Sequence, residues 1–193
     1  MTTERRNLWV AVAAVALGQA AVLGWMIWDR VSLLANGREV VLEVIPVDPR
    51  SLFRGDYVVL GYDISRYTLP PGTKPPKRNA PFYVTLKKGA GETWQTVAGG
   101  TEPPRTVQPD EVVIQGRVDY TTQPTLDNKQ ESVVVALQYG IESFFVPEGA
   151  GRELEKMVGD KKISAVIAID ADGRAAIKGL MSDGKQVYDE PLL

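Results

Sequence analysis

Residues 163–188 read ISAVIAIDADGRAAIKGLMSDGKQVY, two Asp-Gly breaks between three apolar runs. Ile163 to Ile169 is a short β-branched run. It leads through Asp170-Ala171-Asp172-Gly173 into Arg174–Met181, and a second turn at Ser182-Asp183-Gly184 leads into Lys185–Tyr188. Asp-Gly favours tight hairpin turns because it tolerates positive φ, so the spacing predicts an antiparallel three-strand meander.

Working outward, the same signals recur upstream. Glu39–Ile45 is β-branched and stops at Pro46, and Tyr57–Tyr62 follows a Gly55-Asp56 turn. Phe82, Val84 and Leu86 alternate with Tyr83, Thr85 and Lys87, which is the period of a half-buried strand. Trp94–Val97 can pair back across Gly89-Ala90-Gly91, and Glu111–Val118 and Ser132–Gln138 complete a set of about nine short strands. The predicted fold is mainly β: an antiparallel β-rich domain, sandwich or barrel-like, with one short helix near 151–158 that puts Leu154, Met157 and Val158 on one face. The connection from Leu69 to Pro81 is stiff with proline and carries Lys74, Lys77 and Arg78; a solvated loop is expected there.

The N-terminus is different. Leu8 to Trp28 contains no charged residue, is flanked by Arg5-Arg6 and Asp29-Arg30, and places tryptophans near both ends. That pattern predicts a spanning helix with interfacial indoles, and the bulky Trp25-Met26-Ile27-Trp28 end disfavours a cleaved signal peptide. The expected order is a cytoplasmic N-terminus (1–7), a signal-anchor (8–28), a juxtamembrane linker (29–38) and an extracytoplasmic β-rich domain (39–190). Small residues at Ala11, Ala14, Gly18 and Ala21 would allow a homodimer through the anchor, although alanine is also an ordinary apolar residue in such spans.

Composition narrows the chemistry. With no cysteine and no histidine, disulfides, thiolate catalysis, Cys/His zinc sites and the usual near-neutral general base are all excluded. A balance of 24 acids against 22 bases gives no basic face for phosphates, so no nucleic-acid partner is expected. No catalytic residue, cofactor or metal ligand is assigned.

The chemistry-bearing residues gather in two segments. Asp48–Tyr62 reads DPRSLFRGDYVVLGY and fits the pattern Gly-Asp-Tyr-x-x-Leu-x-Tyr at Gly55, Asp56, Tyr57, Leu60 and Tyr62. Tyr139–Gly149 reads YGIESFFVPEG and matches a second recurrent string, Tyr-Gly-x-Glu-x-Tyr/Phe-Phe-Val-Pro-Glu-Gly. On these two motifs, in this order, the exported part resembles the GDYXXLXY family of membrane-anchored bacterial proteins. The resemblance implies a single N-terminal span, an extracytoplasmic domain in the bacterial envelope and, as the partner class, a neighbouring membrane protein; it implies no activity.

Two readings of the cluster stand open. Arg50 and Arg54 could pair with Asp48, Asp56, Glu142 or Glu148 as an internal clamp joining the motifs. Alternatively, the arginines could grip an anionic ligand while Tyr57, Tyr62, Tyr139 and Phe145 offer stacking faces, although strand alternation would split Tyr57 from Tyr62. The corresponding functions are a non-catalytic module binding a membrane-protein or envelope-polymer partner, or a small-ligand or glycan-binding module. A third is a carboxylate-based envelope hydrolase using a pair such as Asp56 with Glu148. A weaker similarity to type I signal peptidases rests on Ser51 ahead of the Gly-Asp turn, but the setting and partner lysine of that chemistry are missing. The Asp170-x-Asp-Gly string lacks the later ligands of a Ca²⁺ loop and reads as a turn.

Overall fold

A computed structural model describes residues 3–45, 57–122, 125–127, 130–145, 163–182 and 184–189. The helix foreseen near 151–158 lies outside them. The chain opens with helix α1, Thr3–Asn36. Its stretch from Trp9 is long and apolar enough to cross a membrane, and its large side chains are exposed from Trp9 to Trp28. The helix does not stop at Trp28. Residues 29–36 are its last two turns, and the Gly37 amide donates to the Leu33 carbonyl at 2.9 Å before the chain turns into β1.

Among the described residues thirteen strands follow. They are β1 (Arg38–Ile45), β2 (Tyr57–Val59), β3 (Gly61–Tyr62), β4 (Arg66–Leu69), β5 (Pro81–Lys88), β6 (Trp94–Gly100) and β7 (Glu111–Thr121). Then come β8 (Thr125–Asp127), β9 (Gln130–Gln138), β10 (Ser143–Phe145), β11 (Ile163–Ile169), β12 (Ala175–Ser182) and β13 (Lys185–Asp189). One antiparallel sheet has the order β13-β12-β11-β1-β3. A second, β4-β9-β7-β5-β6 with β8 on β9, curls almost into a barrel, and β2 with β10 forms a separate two-stranded pair. The C-terminal meander is present as read, with Gly173 and Gly184 at φ 83° and 75° in its two turns.

The period-2 pattern explains the core. Val40, Leu42 and Val44 of β1, Phe82, Val84 and Leu86 of β5, and Ile163, Ala165, Ile167 and Ile169 of β11 all point into one cluster between the sheets. A smaller apolar cluster seats the helix: Leu33 and Leu34 pack on Ala168 and Ala176, whose small side chains let α1 approach the sheet.

The segment Tyr57–Tyr62 was expected to be one strand. It is two, β2 and β3, with different partners: the Leu60 amide still extends the β2–β10 ladder by donating to the Glu142 carbonyl at 2.9 Å, and from Gly61 the chain pairs with β1 instead. Tyr57 and Tyr62 are therefore separated by a change of sheet rather than by alternation. The Pro-rich connection is pinned to β7 at its end, where Asn79 donates to Val118 at 2.7 Å and Val118 returns a bond to Ala80 at 3.0 Å.

Candidate functional site

The two motifs, far apart in sequence, lie side by side. β2 pairs antiparallel with β10, matching Val59 to Ser143, Val58 to Phe144 and Tyr57 to Phe145. Beyond this ladder two phenols interlock the segments. The Tyr62 hydroxyl donates to the Ile141 carbonyl at 2.8 Å, and the Tyr139 hydroxyl donates to the Ile64 carbonyl at 2.6 Å. Glu142 holds the intervening turn: its carboxylate accepts the amides of Tyr139 at 2.6 Å and Gly140 at 2.9 Å. Charge-assisted bonds of this kind replace the ladder bonds that the tight turn gives up.

Tyr62 and Tyr139 are 1% and 7% exposed. Burial, and secondarily the nearby Glu142 carboxylate, pushes both phenols well above the ordinary tyrosine range, so both stay protonated donors. Both rings belong to the packed core, and both hydroxyls are committed to backbone carbonyls, so in this structure the two tyrosines hold the motifs together. Packing against Gly116 shows how close the fit is: a β-carbon there would lie 2.8 Å from the Tyr139 ring. Gly116→Ala is accordingly expected to cost about 1–3 kcal/mol by overpacking, read as a lower urea midpoint with an unchanged slope. An unchanged midpoint would show that the ring can move aside.

Asp48, Arg50, Arg54, Gly55, Asp56 and Glu148 lie outside the described residues, and Tyr57 and Phe145 are placed by their strand pairing alone. Of the sequence candidates, the structure thus brings together Tyr62, Tyr139 and Glu142 directly, and Tyr57 with Phe145 through the ladder. Among the described residues no group of acidic side chains is arranged to hold a metal ion.

A second polar cluster had no signal in the sequence. Arg174, in the first turn of the C-terminal meander, reaches back to the helix and grips both carboxylate oxygens of Asp29 at 2.7 and 3.0 Å. Its Nε donates to Asp170 at 2.7 Å, and Asp170 also accepts the amides of Asp172 and Arg174. The Asp29 carboxylate, and Asp170 with it, raises the pKa of Arg174 above its ordinary value. A bidentate guanidinium fixes orientation as well as distance. Together with Leu33 and Leu34 it fastens the end of α1 to the sheet. A groove of about 570 Å³ runs beside this latch, between the helix end and the start of β7.

An apolar helix latched to a nearly closed antiparallel β domain, whose two tyrosine-bearing motifs interlock, defines a helix-tethered β protein. The chain belongs to the GDYXXLXY protein family, whose profile matches residues 19–180. Comparison with curated proteins and with solved structures returned no match.

Proposed function

We propose that this chain is a single-pass, membrane-anchored interaction module of the bacterial envelope. Residues 8–28 cross the cytoplasmic membrane with the N-terminus inside, and the β domain works on the extracytoplasmic side by binding another membrane or envelope component. The observation that carries this reading is the latch. The helix passes without a break from its exposed apolar stretch into the turns that pack on β11 and β12, and Arg174 joins Asp29 to Asp170 across the joint. A tether built this way holds the domain in one pose relative to the span, which suits presentation of a fixed surface and is unnecessary for a domain on a flexible leash.

The described halves of both motifs support a non-catalytic role, since their buried phenols and the Glu142 carboxylate are committed to holding the backbone. The placement is tested by carbonate extraction and by protease treatment of spheroplasts. The full chain is expected to stay with the membrane and to lose its β domain to external protease before lysis. Release by carbonate, or protection of the domain until lysis, would overturn the assignment.

The latch has its own test. Arg174→Ala is expected to leave the β domain folded while speeding amide hydrogen exchange over residues 30–36, because the helix end then keeps only its apolar contacts. Exchange at the wild-type rate would mean that Leu33 and Leu34 hold the joint alone.

A further inference from the structure

Tracing the antiparallel pairings through β4-β9-β7-β5-β6 leaves β4 and β6, the two edges of the curled sheet, running in the same direction. Five antiparallel strands cannot close a ring with antiparallel bonds throughout, because an odd number leaves one parallel junction. Here that junction is left open as a seam. At one end Thr93, just before β6, makes a parallel bridge to Val41 of β1. At the other end the Tyr67 ring of β4 packs on Phe82, at 5.4 Å between centroids, and lies where a β-carbon on Gly99 of β6 would come within 2.8 Å of it.

Between these two closures a gap of about 290 Å³ opens, with buried Leu42, Tyr62 and Ile64 at its base. Gln95 and Thr96 of β6 form one lip, and Asp63 and Arg66 lie on the other, with Glu43 beside them. Glu43 and Asp63 leave the lining net acidic against the single Arg66, and among the described residues neither acid is in an ion pair.

Edge strands are normally blunted by charge, proline or shortness. The edge β13 carries Lys185 and Asp189 at its ends, and β4 is four residues long and starts on Arg66. β6 is seven residues, WQTVAGG, with no charge and no proline, and Gln95 through Ala98 are all exposed. A register shift that leaves Val97 as an extra residue opposite β5 is its one irregularity, and it puts that side chain outward at 53% exposure.

We propose that the seam receives an extended peptide segment of a partner protein as a sixth strand. That strand runs antiparallel to β6 along its exposed Gln95–Ala98 edge, with an apolar side chain over Leu42, Tyr62 and Ile64 and a basic side chain facing Glu43 and Asp63. The added strand extends the sheet by backbone bonds to the open edge of β6, which is recognition by strand addition. The inference rests on reading the chain as an interaction module and names the surface and partner class of that module.

The test uses the full chain in phosphatidylcholine nanodiscs and fluorescein-labelled octapeptides, followed by anisotropy against empty nanodiscs. A peptide alternating valine and lysine is expected to bind. Its valine–glutamate counterpart should bind about ten-fold or more weakly, because like charges then face Glu43 and Asp63. A valine–lysine peptide methylated on alternate backbone nitrogens should lose binding, and so should the chain carrying Thr96→Lys, an exposed position whose change leaves the core intact. No binding by the valine–lysine peptide, equal binding by the glutamate or methylated peptides, or binding unaffected by Thr96→Lys overturns the proposal. If the chain passes the spheroplast test and fails here, the seam is wrong and the anchored-module reading survives; the reverse result separates them the other way.

Discussion

Changing both Tyr62 and Tyr139 to phenylalanine is expected to destabilise the domain by about 2–6 kcal/mol, because each change leaves a buried carbonyl unpaired at about 1–3 kcal/mol. The carbonyls concerned are Ile141 and Ile64, both in buried residues. Phenylalanine keeps the ring and its packing, so the loss isolates the hydroxyls. Against a typical total stability of about 5–15 kcal/mol, this is a large share. The two sites are linked through one turn, with Tyr62 bonding to the residue two after Tyr139, so the double change should differ from the sum of the singles. Urea denaturation in the presence of the intact anchor measures it. Tyr120→Phe, at an exposed position, serves as the control and should be near neutral. A double-variant loss below about 1 kcal/mol would mean that water replaces the phenols at both carbonyls.

The second expected result is a steep loss of stability in alkali. In the unfolded chain both tyrosines ionise near pH 10, while in the folded domain burial and Glu142 hold both phenols protonated well beyond that. Below pH 10 the proton count of the two states is the same at these sites and stability does not depend on them. Above it the unfolded chain binds fewer protons than the folded one, so the unfolding free energy falls as pH rises. The slope is about 1.4 kcal/mol per pH unit for each group, or about 2.7 for the pair, until the folded phenols themselves ionise. Urea midpoints between pH 9 and pH 11.5 would show the curve bending down, and the Tyr62→Phe/Tyr139→Phe variant should be less stable at neutral pH but flatter in alkali. Parallel curves for the two proteins would place the alkaline sensitivity elsewhere.

Much of the architecture was legible from local pattern. The alternation in Phe82–Lys87, the β-branched Glu39–Ile45 and the Asp-Gly turns of the C-terminal meander each act over a few residues, where side-chain period and turn chemistry are decisive. The strands that escaped notice, β4, β8 and β10, span 4, 3 and 3 residues, too short for any period to show. The split of Tyr57–Tyr62 into two strands was also hidden. Its cause is a change of partner past Leu60, from β10 to β1, and neither long-range pairing is encoded by local preference.

The candidate site divides in the same way. Both motifs are distinct as spellings, and Tyr62, Tyr139 and Glu142 stand in them as candidates. Their roles do not show there, because a tyrosine that stacks on a ligand and one that locks a carbonyl look alike in a sequence. Burial separates them, and burial is a property of the packed sheets. The latch of Arg174 to Asp29 was less visible still, since 145 positions separate the partners and each alone is an unremarkable charged residue.

An apolar N-terminal helix, a mainly antiparallel β domain and a family are all written in the residues, since each rests on short-range pattern or on fixed spellings. It took the folded chain to bring the meander's turn onto the helix, to interlock two distant motifs through buried phenols, and to leave β4 and β6 unpaired at the seam of the curled sheet. These depend on which edges and side chains the sheets bring within hydrogen-bond reach, and such distances emerge only when the whole chain has folded.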